Sequence, residues 1–480
     1  MTASSTSSDT HDTSWRALFM SGGIAVVIFI GGTTLQALEA FISTAMLPTV
    51  VHDIGGLDLF AWTTTLFIVA SILATIFAAV RPGGIGPRGV YVFAACCFGL
   101  GSLICGLAPS MPVLLAGRTV QGFGAGLLVS ASLAMIRIAF PEHLWSRAMA
   151  LNAVVWGVAT LLGPAIGGMF AQYDLWRWAF LIVVPIAGIL AAGAVTILPA
   201  RETTPARAGA PVLQIGLVVI AILLISISSL ITDNPLLAGL LLAATGVDIV
   251  LLGAIEARAK TQLLPNGALA PSTVVGTLFL TILIFGISIS SDIFAPFFLQ
   301  KVHGLPPVWA GYMTALLATG WVIAAIVTAN FRNAGVRRAI TGGPVLILCG
   351  TIGLALWLGD STVGAVGLAV IGASLFAMGF GIGLAFQHLS TSVLASGTEA
   401  DNDRTSAALG MVQLFASGAG AAIGGVIVNA AGLPLATEIG GVEQAARWLY
   451  WSFALITALA IPLSWRVIRT VPRLLGRPAE

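Results

Sequence analysis

Charged side chains are scarce in this sequence. Asp, Glu, Lys and Arg together make up 8% of its 480 residues, while hydrophobic residues make up 58%. Soluble globular domains carry roughly 25% charged residues, so the shortage excludes that class and indicates a membrane protein with many spans. The net charge is only +2, without a lysine-rich arm or an acidic tail, and we expect no nucleic-acid partner.

Cysteines and enzyme motifs are also few. The four cysteines, Cys96, Cys97, Cys105 and Cys349, lie in apolar runs, so neither a disulfide framework nor a metal-binding spacing is available. The apolar runs contain no HExxH, no GxSxG and no pairing of His with a carboxylate, which argues against an enzyme. We therefore expect no cofactor, no metal and no catalytic residues. Residues 1–15 are polar and lack the features of a signal peptide.

Fourteen apolar runs are long enough to cross a hydrocarbon core of about 30 Å. They lie near residues 24–49, 60–80, 89–108, 112–137, 147–170, 178–199, 212–232, 236–256, 272–299, 308–330, 343–359, 364–389, 407–431 and 447–468. With the N-terminus in the cytoplasm, most of the 21 Lys and Arg residues fall on the cytoplasmic side, as the positive-inside rule requires. The sequence therefore predicts an all-α, multi-pass protein of the cell membrane with both termini in the cytoplasm.

One carboxylate stands in the middle of the first apolar run. Gln36, Glu39 and Ser43 follow one another at intervals of three and four, which places them on one polar stripe of a helix. The remaining surface, expected to meet lipid, carries Leu35, Leu38, Phe41 and Ile42. An ionisable group at this depth costs at least ~2.5 kcal/mol and usually marks an ion, proton or substrate pathway. The alternative is a buried structural ion pair.

Arg118 is the only basic residue within an apolar run, and Gln121 follows one turn later. In the predicted orientation Arg118 lies ~12 Å below the outer surface and Glu39 ~20 Å below it, so the two long side chains can meet. Either they form a permanent salt bridge that joins two helices, or Arg118 stabilises the ionised Glu39 in one conformation and withdraws in another.

The ninth apolar run carries a similar polar stripe. Its members recur at helical intervals and are Thr277, Thr281, Ser288 and Asp292. Asp292 is expected near the midplane, and it is followed by Phe294, Phe297 and Phe298. An acid and aromatic rings would together line an outer cavity suited to lipophilic cations. Alternatively, Asp292 is hydrogen-bonded to a neighbouring helix or paired with Lys301.

Two further polar residues within the runs are interpreted as structural. Asp248 lies in the eighth run, which we expect at the periphery, and a structural role or a partner interface is favoured there over proton coupling. His388 lies near the inner end of the twelfth run and is interpreted as a helix-end hydrogen bonder.

The two ends of the chain are organised alike. Runs one to six and nine to fourteen each form a six-helix block with a short basic second loop, RPGGIGPR at 81–88 and RNAGVRR at 332–338. Such duplication is frequent in secondary transporters. The predicted segments are a tail 1–23, a first bundle 24–199, connectors with inserted helices seven and eight 200–271, a second bundle 272–468 and a tail 469–480.

Several segments resemble one known family. LLAGRTVQGFGAGLL at 114–128 and WGVATLLGPAIGGMF at 156–170 look like the fourth-helix and antiporter-associated fifth-helix motifs of the major facilitator superfamily. WRWAFLIVVP at 176–185, FFLQKVHGLPPVWAGY at 297–312 and ALEAFISTAMLPT at 37–49 look like its fourteen-span drug:proton antiporter branch. The resemblance covers nearly the whole chain.

This resemblance implies two six-helix bundles that rock about a central cavity, with two inserted helices at the periphery. It implies a secondary active transporter that exports lipophilic or cationic small molecules in exchange for protons by alternating access. The expected partners are the lipid bilayer, a small-molecule substrate and protons, and we expect a monomer.

The candidate site residues fall into four groups. Proton coupling is assigned to Glu39 and Asp292. The substrate cavity is assigned to Gln36, Ser43, Arg118, Gln121, Ser288, Phe294 and Phe298. The antiporter-motif helix, interpreted either as a tight packing face or as a bend between the halves, carries Gly157, Gly163, Pro164, Gly167 and Gly168. The cytoplasmic loop motif retains Arg81, Gly86 and Arg88.

Two positions depart from the family pattern. Gly83 stands where the loop motif normally has an aspartate, and Val183 replaces an asparagine at the outer end of the sixth run. The missing aspartate favours one alternative function, a non-transporting membrane sensor or assembly factor. The other alternative is a proton-coupled carrier of one specific metabolite or lipid-like compound, including an anion recognised by Arg118.

Overall fold

The structure, a computed structural model, consists of α-helices joined by short turns. It describes residues 16, 19–20, 23–80, 86–141, 144–198, 200, 211–231, 234–259, 261–265, 267–329, 331–396, 402–436 and 438–470. Arg81 and Gly83 of the loop motif lie outside the described residues.

The helices follow the apolar runs of the sequence. In chain order they are α1 (Ile24–Ile54), α2 (Phe60–Val80), α3 (Pro87–Gly106), α4 (Met111–Ala139), α5 (Trp145–Gln172), α6 (Trp176–Leu181), α7 (Val183–Ile197), α8 (Val212–Ser228), α9 (Pro235–Glu256), α10 (Val274–Ile289), α11 (Ala295–Lys301), α12 (Pro307–Thr328), α13 (Ala334–Trp357), α14 (Ala365–Ser396), α15 (Asn402–Ala430), α16 (Ile439–Ala458) and α17 (Ala460–Thr470). Within the described chain, thirteen spans are long and apolar enough to cross a membrane, three of them made of two successive helices, and α8 is a shorter apolar helix. This confirms the all-α, fourteen-span fold.

Three span boundaries differ from the sequence prediction by seven residues or more. Helix α13 begins at Ala334 instead of near 343, α14 continues to Ser396 instead of 389, and α16 begins at Ile439 instead of near 447. In each case polar residues end the apolar run without ending the helix, because a helix satisfies its own backbone hydrogen bonds beyond the hydrocarbon core.

Helix α1 is more enclosed than the sequence predicts. Leu35 and Ile42, expected to meet lipid, are each only 5% exposed. Gly31 brings α1 close to α7, since a Cβ added at this position would meet the Leu190 side chain. Small residues of this kind admit neighbouring helices on several faces. The expectation of a lipid-facing surface at Leu35 and Ile42 is therefore wrong.

The two halves contain the same contact near their outer ends; inner and outer follow the orientation that the basic residues predict. In the first half, Arg177 Nη2 donates to the carbonyl of Ala108, between α3 and α4, at 3.1 Å. In the second half, Arg447 Nε donates to the carbonyl of Gly359, between α13 and α14, at 2.9 Å. Each arginine belongs to the sixth span of its half, and each acceptor to the turn between the third and fourth spans. This repetition agrees with an internal duplication.

The halves meet at their outer ends. Phe60, at the start of α2, stacks on Phe294, just before α11, with ring centroids 5.2 Å apart. Asn429 of α15 donates to the carbonyl of Asp58 at 2.9 Å. One apolar cluster at this level includes residues of both halves. The next two largest clusters among the described residues do not join the halves: one lies in the first half, and the other combines the second half with Leu264 and Ala268 of the connector. The outer side is therefore closed in this conformation.

This closure changes the interpretation of two predicted cavity residues. Phe294 and Phe298 are fully buried, and their ring centroids lie 6.4 Å apart. Phe298 also contacts the ring of Tyr450. Both phenylalanines therefore belong to the outer seal of this conformation instead of lining an open cavity. The sequence alone does not reveal this, because the burial arises only when the two halves come together.

The inserted helices lie at one edge of the contact between the halves. Helix α8 packs against α2 of the first half and α15 of the second, and α9 packs against α8. Most side chains of α9 are exposed. At its inner end, the Glu256 carboxylate accepts a hydrogen bond from the Leu264 backbone N–H at 2.5 Å, which holds the following connector. Helix α9 is peripheral, whereas α8 touches both halves.

Gly379 of α14 marks the closest helix approach of the second half. A Cβ added there would overlap the backbone of Leu317 in α12. We expect Gly379→Leu to lower the free energy of unfolding by about 1–3 kcal/mol, the usual cost of overpacking, or to prevent folding. The measurement is the thermal unfolding midpoint of the purified protein in detergent.

Gly239 of α9 provides the matched control. Nothing lies within 4 Å of a Cβ at this position, so Gly239→Leu should unfold at the wild-type temperature. A Gly379→Leu protein as stable as the wild type would contradict the direct backbone contact between α12 and α14.

Candidate functional site

A buried ion pair joins α1 and α4. Arg118 Nη1 lies 2.5 Å from Glu39 Oε1, and both side chains are buried. The Ser43 hydroxyl donates to the same carboxylate oxygen, and its own oxygen accepts from Arg118 Nη1 at 3.2 Å. Gln36, one turn before Glu39, is half-buried. The structure thus brings together the acid and the base that the sequence places at similar depths.

Arg118 is held from three further sides. Its Nη1 donates to Gln121 Oε1 at 2.7 Å, and Gln121 Nε2 donates to Ser102 Oγ of α3 at 2.9 Å. Its Nε donates to the carbonyl of Thr63 in α2 at 3.3 Å, and its guanidinium carbon lies 4.3 Å from the centroid of the Phe67 ring. Sequence reasoning did not identify Thr63, Phe67 and Ser102, because such residues within apolar runs carry no distinctive signal.

Small residues on α4 bring its neighbours close enough for these contacts. A Cβ at Gly117 would lie 2.8 Å from the Cys105 backbone N of α3, and one at Gly122 would meet the Phe67 carbonyl of α2. The two glycines therefore let α3 and α2 pack directly on the α4 backbone. This packing places the Gln121–Ser102 contact and the Phe67 ring beside the arginine.

Glu39 retains one oxygen without a partner. Its Oε2 atom is buried and has no hydrogen-bond partner among the residues that the structure describes. A buried polar atom of this kind costs free energy unless it binds a proton or another donor. Protonation of Glu39 would also cancel the charge that holds Arg118. The Glu39 carboxylate can therefore bind either a proton or a cationic group, one after the other.

Asp292, the second predicted coupling group, has a different local structure. It lies in a 3-10 turn, Ser290–Phe294, between α10 and α11, and is half-buried. The continuous helical stripe predicted here is wrong, because Pro296 has no N–H to bond the carbonyl four residues back. Among the described residues Asp292 forms no ion pair with Lys301. The Ser288 hydroxyl donates to the carbonyl of Ile284 in its own helix at 2.7 Å.

Three further titratable residues lie away from the Glu39–Arg118 pair: Asp248 on α9, His388 on α14 and Asp360 in the loop after α13. Asp248 of α9 is 7% exposed, and its Oδ2 has no partner among the described residues. His388 lies two turns before the end of α14, which corrects its interpretation as a helix-end residue. In the loop after α13, hydrogen bonds from Thr362 hold the pKa of the Asp360 carboxyl below its usual range, so this acid stays ionised near neutral pH.

The glycines of the antiporter-motif helix α5 have different surroundings. A Cβ on Gly163 or Gly167 would collide with α1, and one on Gly168 would collide with α12. Gly157, in contrast, has nothing within 4 Å of an added Cβ. Helix α5 continues through Pro164 without interruption. Three of the four glycines are therefore positions of close helix approach.

The described part of the cytoplasmic loop motif fastens the inner end of the first half. Gly86 precedes the first residue of α3. Arg88 Nε donates to the carbonyl of Leu198, next to the end of α7, at 2.7 Å. Arg88 therefore connects the inner ends of the third and sixth spans.

Comparison with known families agrees with the helical architecture and the motifs. The sequence model of the Major Facilitator Superfamily matches residues 28–425. The chain belongs to the Major Facilitator Superfamily. The matched region includes the Glu39–Arg118 pair, the inserted helices and most of the second half.

Two relatives within this superfamily are described as exporters. A probable multidrug-efflux transporter of Mycobacterium tuberculosis (strain H37Rv) is 34% identical over 473 residues, covering 96% of this chain and 98% of that protein. The multidrug efflux pump SdrM of Staphylococcus aureus (strain N315) is 26% identical over 331 residues, covering 68% of this chain and 72% of the pump. The chain is accordingly a multi-pass transporter of the superfamily.

Two solved transporter structures share the fold. One is a bacterial homolog to the human lysosomal transporter Spinster in an inward-facing and unoccupied conformation, with a TM-score of 0.65, 15% identity, and coverage of 95% of this chain and 98% of that chain. Another is a POT family transporter, with a TM-score of 0.65 and 14% identity, and the match covers 94% of this chain and 96% of that chain. At such identities the likeness concerns the fold alone.

Proposed function

We propose that this transporter exports lipophilic or cationic small molecules in exchange for protons by alternating access. The observation that carries the proposal is the buried Glu39–Arg118 ion pair, in which Glu39 Oε2 has no partner among the described residues. A carboxylate within a span is costly, so its presence usually marks an ion, proton or substrate pathway.

The Glu39–Arg118 pair supports exchange because Glu39 cannot hold a proton and bind a cation at the same time. With Glu39 ionised, the carboxylate binds either Arg118 or a cationic substrate. With Glu39 protonated, the charge is absent and a bound cation is released. Arg118 retains Gln121 and the Thr63 carbonyl as acceptors, so it does not depend on Glu39 alone. Such competition couples substrate release on one side of the membrane to proton uptake on the same side.

Asp292 is proposed as a second coupling group in the second half. It is half-buried in the 3-10 turn between α10 and α11, beneath the outer seal. Its backbone turn adjoins Tyr450, whose hydroxyl donates to the Ser291 carbonyl at 3.4 Å. Because this turn breaks the span, rearrangement of the outer seal would change the exposure of Asp292.

The substrate class follows from charge and from the relatives. Glu39 and Asp292, one acid within a span of each half, and the Phe67 ring beside Arg118 favour cations with an apolar body. Both relatives described above are named multidrug-efflux proteins. The anion alternative is less favoured, because Arg118 Nε and Nη1 already donate to protein acceptors. The alternative of a non-transporting sensor rests on the Gly83 departure alone, and Gly83 lies outside the described residues.

The decisive experiment is a transport assay in proteoliposomes. Vesicles that are acidic inside and alkaline outside, with the membrane potential clamped at zero, are offered lipophilic cations, neutral lipophiles and lipophilic anions. A pH difference of one unit supplies about 1.4 kcal/mol per proton, enough for about tenfold accumulation in one-for-one exchange. We expect accumulation of the cations, accompanied by alkalinisation of the interior.

Protein-free vesicles are the control for passive permeation. Accumulation of anions alone would favour the carrier alternative. An absence of proton movement during cation uptake would refute proton exchange while leaving transport itself intact.

A further inference from the structure

A cavity of about 580 Å³ lies at the outer end of the junction between the two halves. Its walls come from the end of α1 and the turn after it in the first half, and from α11, the turn after α15 and the start of α16 in the second half. Pockets for small molecules have volumes of about 300–1,000 Å³, so this cavity can hold a small ligand. It lies outward of the Glu39–Arg118 pair, and neither residue of that pair lines it.

The deepest residues of this outer cavity are apolar and belong to the outer seal. Val51, Phe297 and Leu433 line the cavity, and each is at most 8% exposed. All three belong to the apolar cluster that joins the halves, and the rings of Phe297 and Phe60 have centroids 5.6 Å apart. Such a surface can cover the hydrocarbon part of a ligand.

Two glycines shape the wall of the cavity in the first half. Gly55 and Gly56 have φ angles of 72° and 81°, in the left-handed region that favours glycine. They lead the chain from α1 into the 3-10 turn Leu57–Leu59, which packs against the 3-10 turn Leu433–Leu435 of the second half. The walls of the cavity are therefore together only while the outer side is closed.

Charged side chains of both signs line the same cavity. Asp58 comes from the first half, and Lys301 and Glu438 come from the second. All three are exposed, and among the described residues none of their side chains forms an ion pair or a hydrogen bond. The other polar side chain of the wall, His52, is exposed as well. These charges are available to a ligand.

The presence of both signs selects the kind of ligand. A cation would be attracted by the acids and repelled by Lys301, and an anion would meet the reverse. A zwitterion can place its ammonium group at Asp58 and its carboxylate at Lys301. Because these two residues belong to different halves, a zwitterion bound in this way connects the halves.

We propose that the outer cavity is a binding site for small zwitterions with an apolar body, of the size of an aromatic amino acid, and that the bound zwitterion holds the outer side closed. The site lies apart from the Glu39–Arg118 pair and goes beyond the proposed function. A ligand that binds one conformation shifts the population toward it. At ten times its Kd the ligand favours the closed form about elevenfold, so we expect substrate exchange to slow by about tenfold.

Binding is tested by saturation-transfer NMR on the purified protein in detergent, with phenylalanine as the probe. We expect a Kd of about 1 mM, the order usual for a ligand with so few atoms. Phenethylamine and 3-phenylpropanoate each keep only one of the two charged groups and should bind about fivefold more weakly. Absence of phenylalanine binding, or equal or stronger binding of either analogue, would overturn the assignment to zwitterions.

Variants of the two charged residues test where phenylalanine binds. Asp58→Asn and Lys301→Ala should each weaken its binding about fivefold. Asp58→Asn should not weaken binding of 3-phenylpropanoate, which lacks the ammonium group, and Lys301→Ala should not weaken that of phenethylamine, which lacks the carboxylate. Asp174→Asn is the matched control, because Asp174 is an exposed carboxylate in the turn after α5 and does not line the cavity. Wild-type affinity in both variants, or an equal loss in Asp174→Asn, would overturn the site.

The effect on transport is tested by uptake of tetraphenylphosphonium into proteoliposomes. Phenylalanine at ten times its wild-type Kd, present on both sides of the membrane, should lower the initial rate about tenfold in the wild type. The same concentration should lower it only about threefold in Lys301→Ala, relative to that variant without phenylalanine. An unchanged wild-type rate despite bound phenylalanine would overturn the hold on the outer side. Binding of phenylalanine by a protein that takes up no tetraphenylphosphonium would refute the proposed function and leave the site standing.

Discussion

Replacing Glu39 with Gln is expected to abolish accumulation of substrate against its gradient. Gln keeps the size of the side chain and an oxygen that can accept from Arg118, but it cannot gain or lose a proton. The Ser43 and Arg118 contacts to Oε1 can persist, so the helices should stay in place. The proton gradient would then have no group to act on at this site, while passive exchange or substrate binding should partly survive.

The measurement is uptake driven by an imposed pH difference, compared with counterflow at equal pH. Glu438→Gln is the matched control, because Glu438 is an exposed carboxylate at the start of α16 and its loss should leave both rates unchanged. Accumulation of substrate by Glu39→Gln with normal pH dependence would show that Glu39 is not the coupling site. Asp292→Asn would then be the next variant to test.

Replacing Arg118 with Ala is expected to abolish transport and to reduce stability. The change leaves the Glu39 carboxylate buried without its cation, and removing one partner of a buried pair costs about 3–5 kcal/mol. It also removes the donor to Gln121 and to the Thr63 carbonyl. We expect the protein still to reach the membrane, because the small-residue contacts between α4 and its neighbours do not involve the side chain.

A second arginine of the first half provides the control for this prediction. Arg177 Nη1 lies 2.5 Å from Asp53 Oδ2, the same separation as in the buried pair, but these side chains are 40% and 47% exposed, against 7% and 1% for Arg118 and Glu39. An exposed pair contributes only about 0–1 kcal/mol, and the hydrogen bond to the Ala108 carbonyl that is lost with it about 1 kcal/mol more, so Arg177→Ala should destabilise the protein less than Arg118→Ala and transport nearly as the wild type does.

Thermal unfolding and uptake measured on the same preparations separate the two effects. The double variant Glu39→Gln with Arg118→Ala should be more stable than Arg118→Ala alone, because no unpaired charge remains buried. Near-normal transport by Arg118→Ala would exclude Arg118 from the mechanism. Equal losses of stability in the double and single variants would contradict the assigned ion pair.

The Glu39–Arg118 pair shows which part of the site can be predicted from the sequence and which part cannot. Glu39 and Arg118 were recognisable because charges within apolar runs are rare, and their depths follow from the helical rise. That they lie 2.5 Å apart depends on α1 and α4 being neighbours, which no local pattern states. The Ser102 and Phe67 contacts likewise depend on how closely α3 and α2 approach the glycines of α4.

The sequence by itself determined the fourteen spans, their order and the residues that carry charge into the membrane, because the bilayer imposes length and hydrophobicity on each span separately. Only the tertiary structure decided that α8 packs against both halves, that Phe294 and Phe298 form the outer seal, and that the helix breaks at Asp292. These features arise from contacts between distant segments. An apolar side chain has the same hydropathy whether it meets lipid or another helix, so its partner is fixed only when the helices pack.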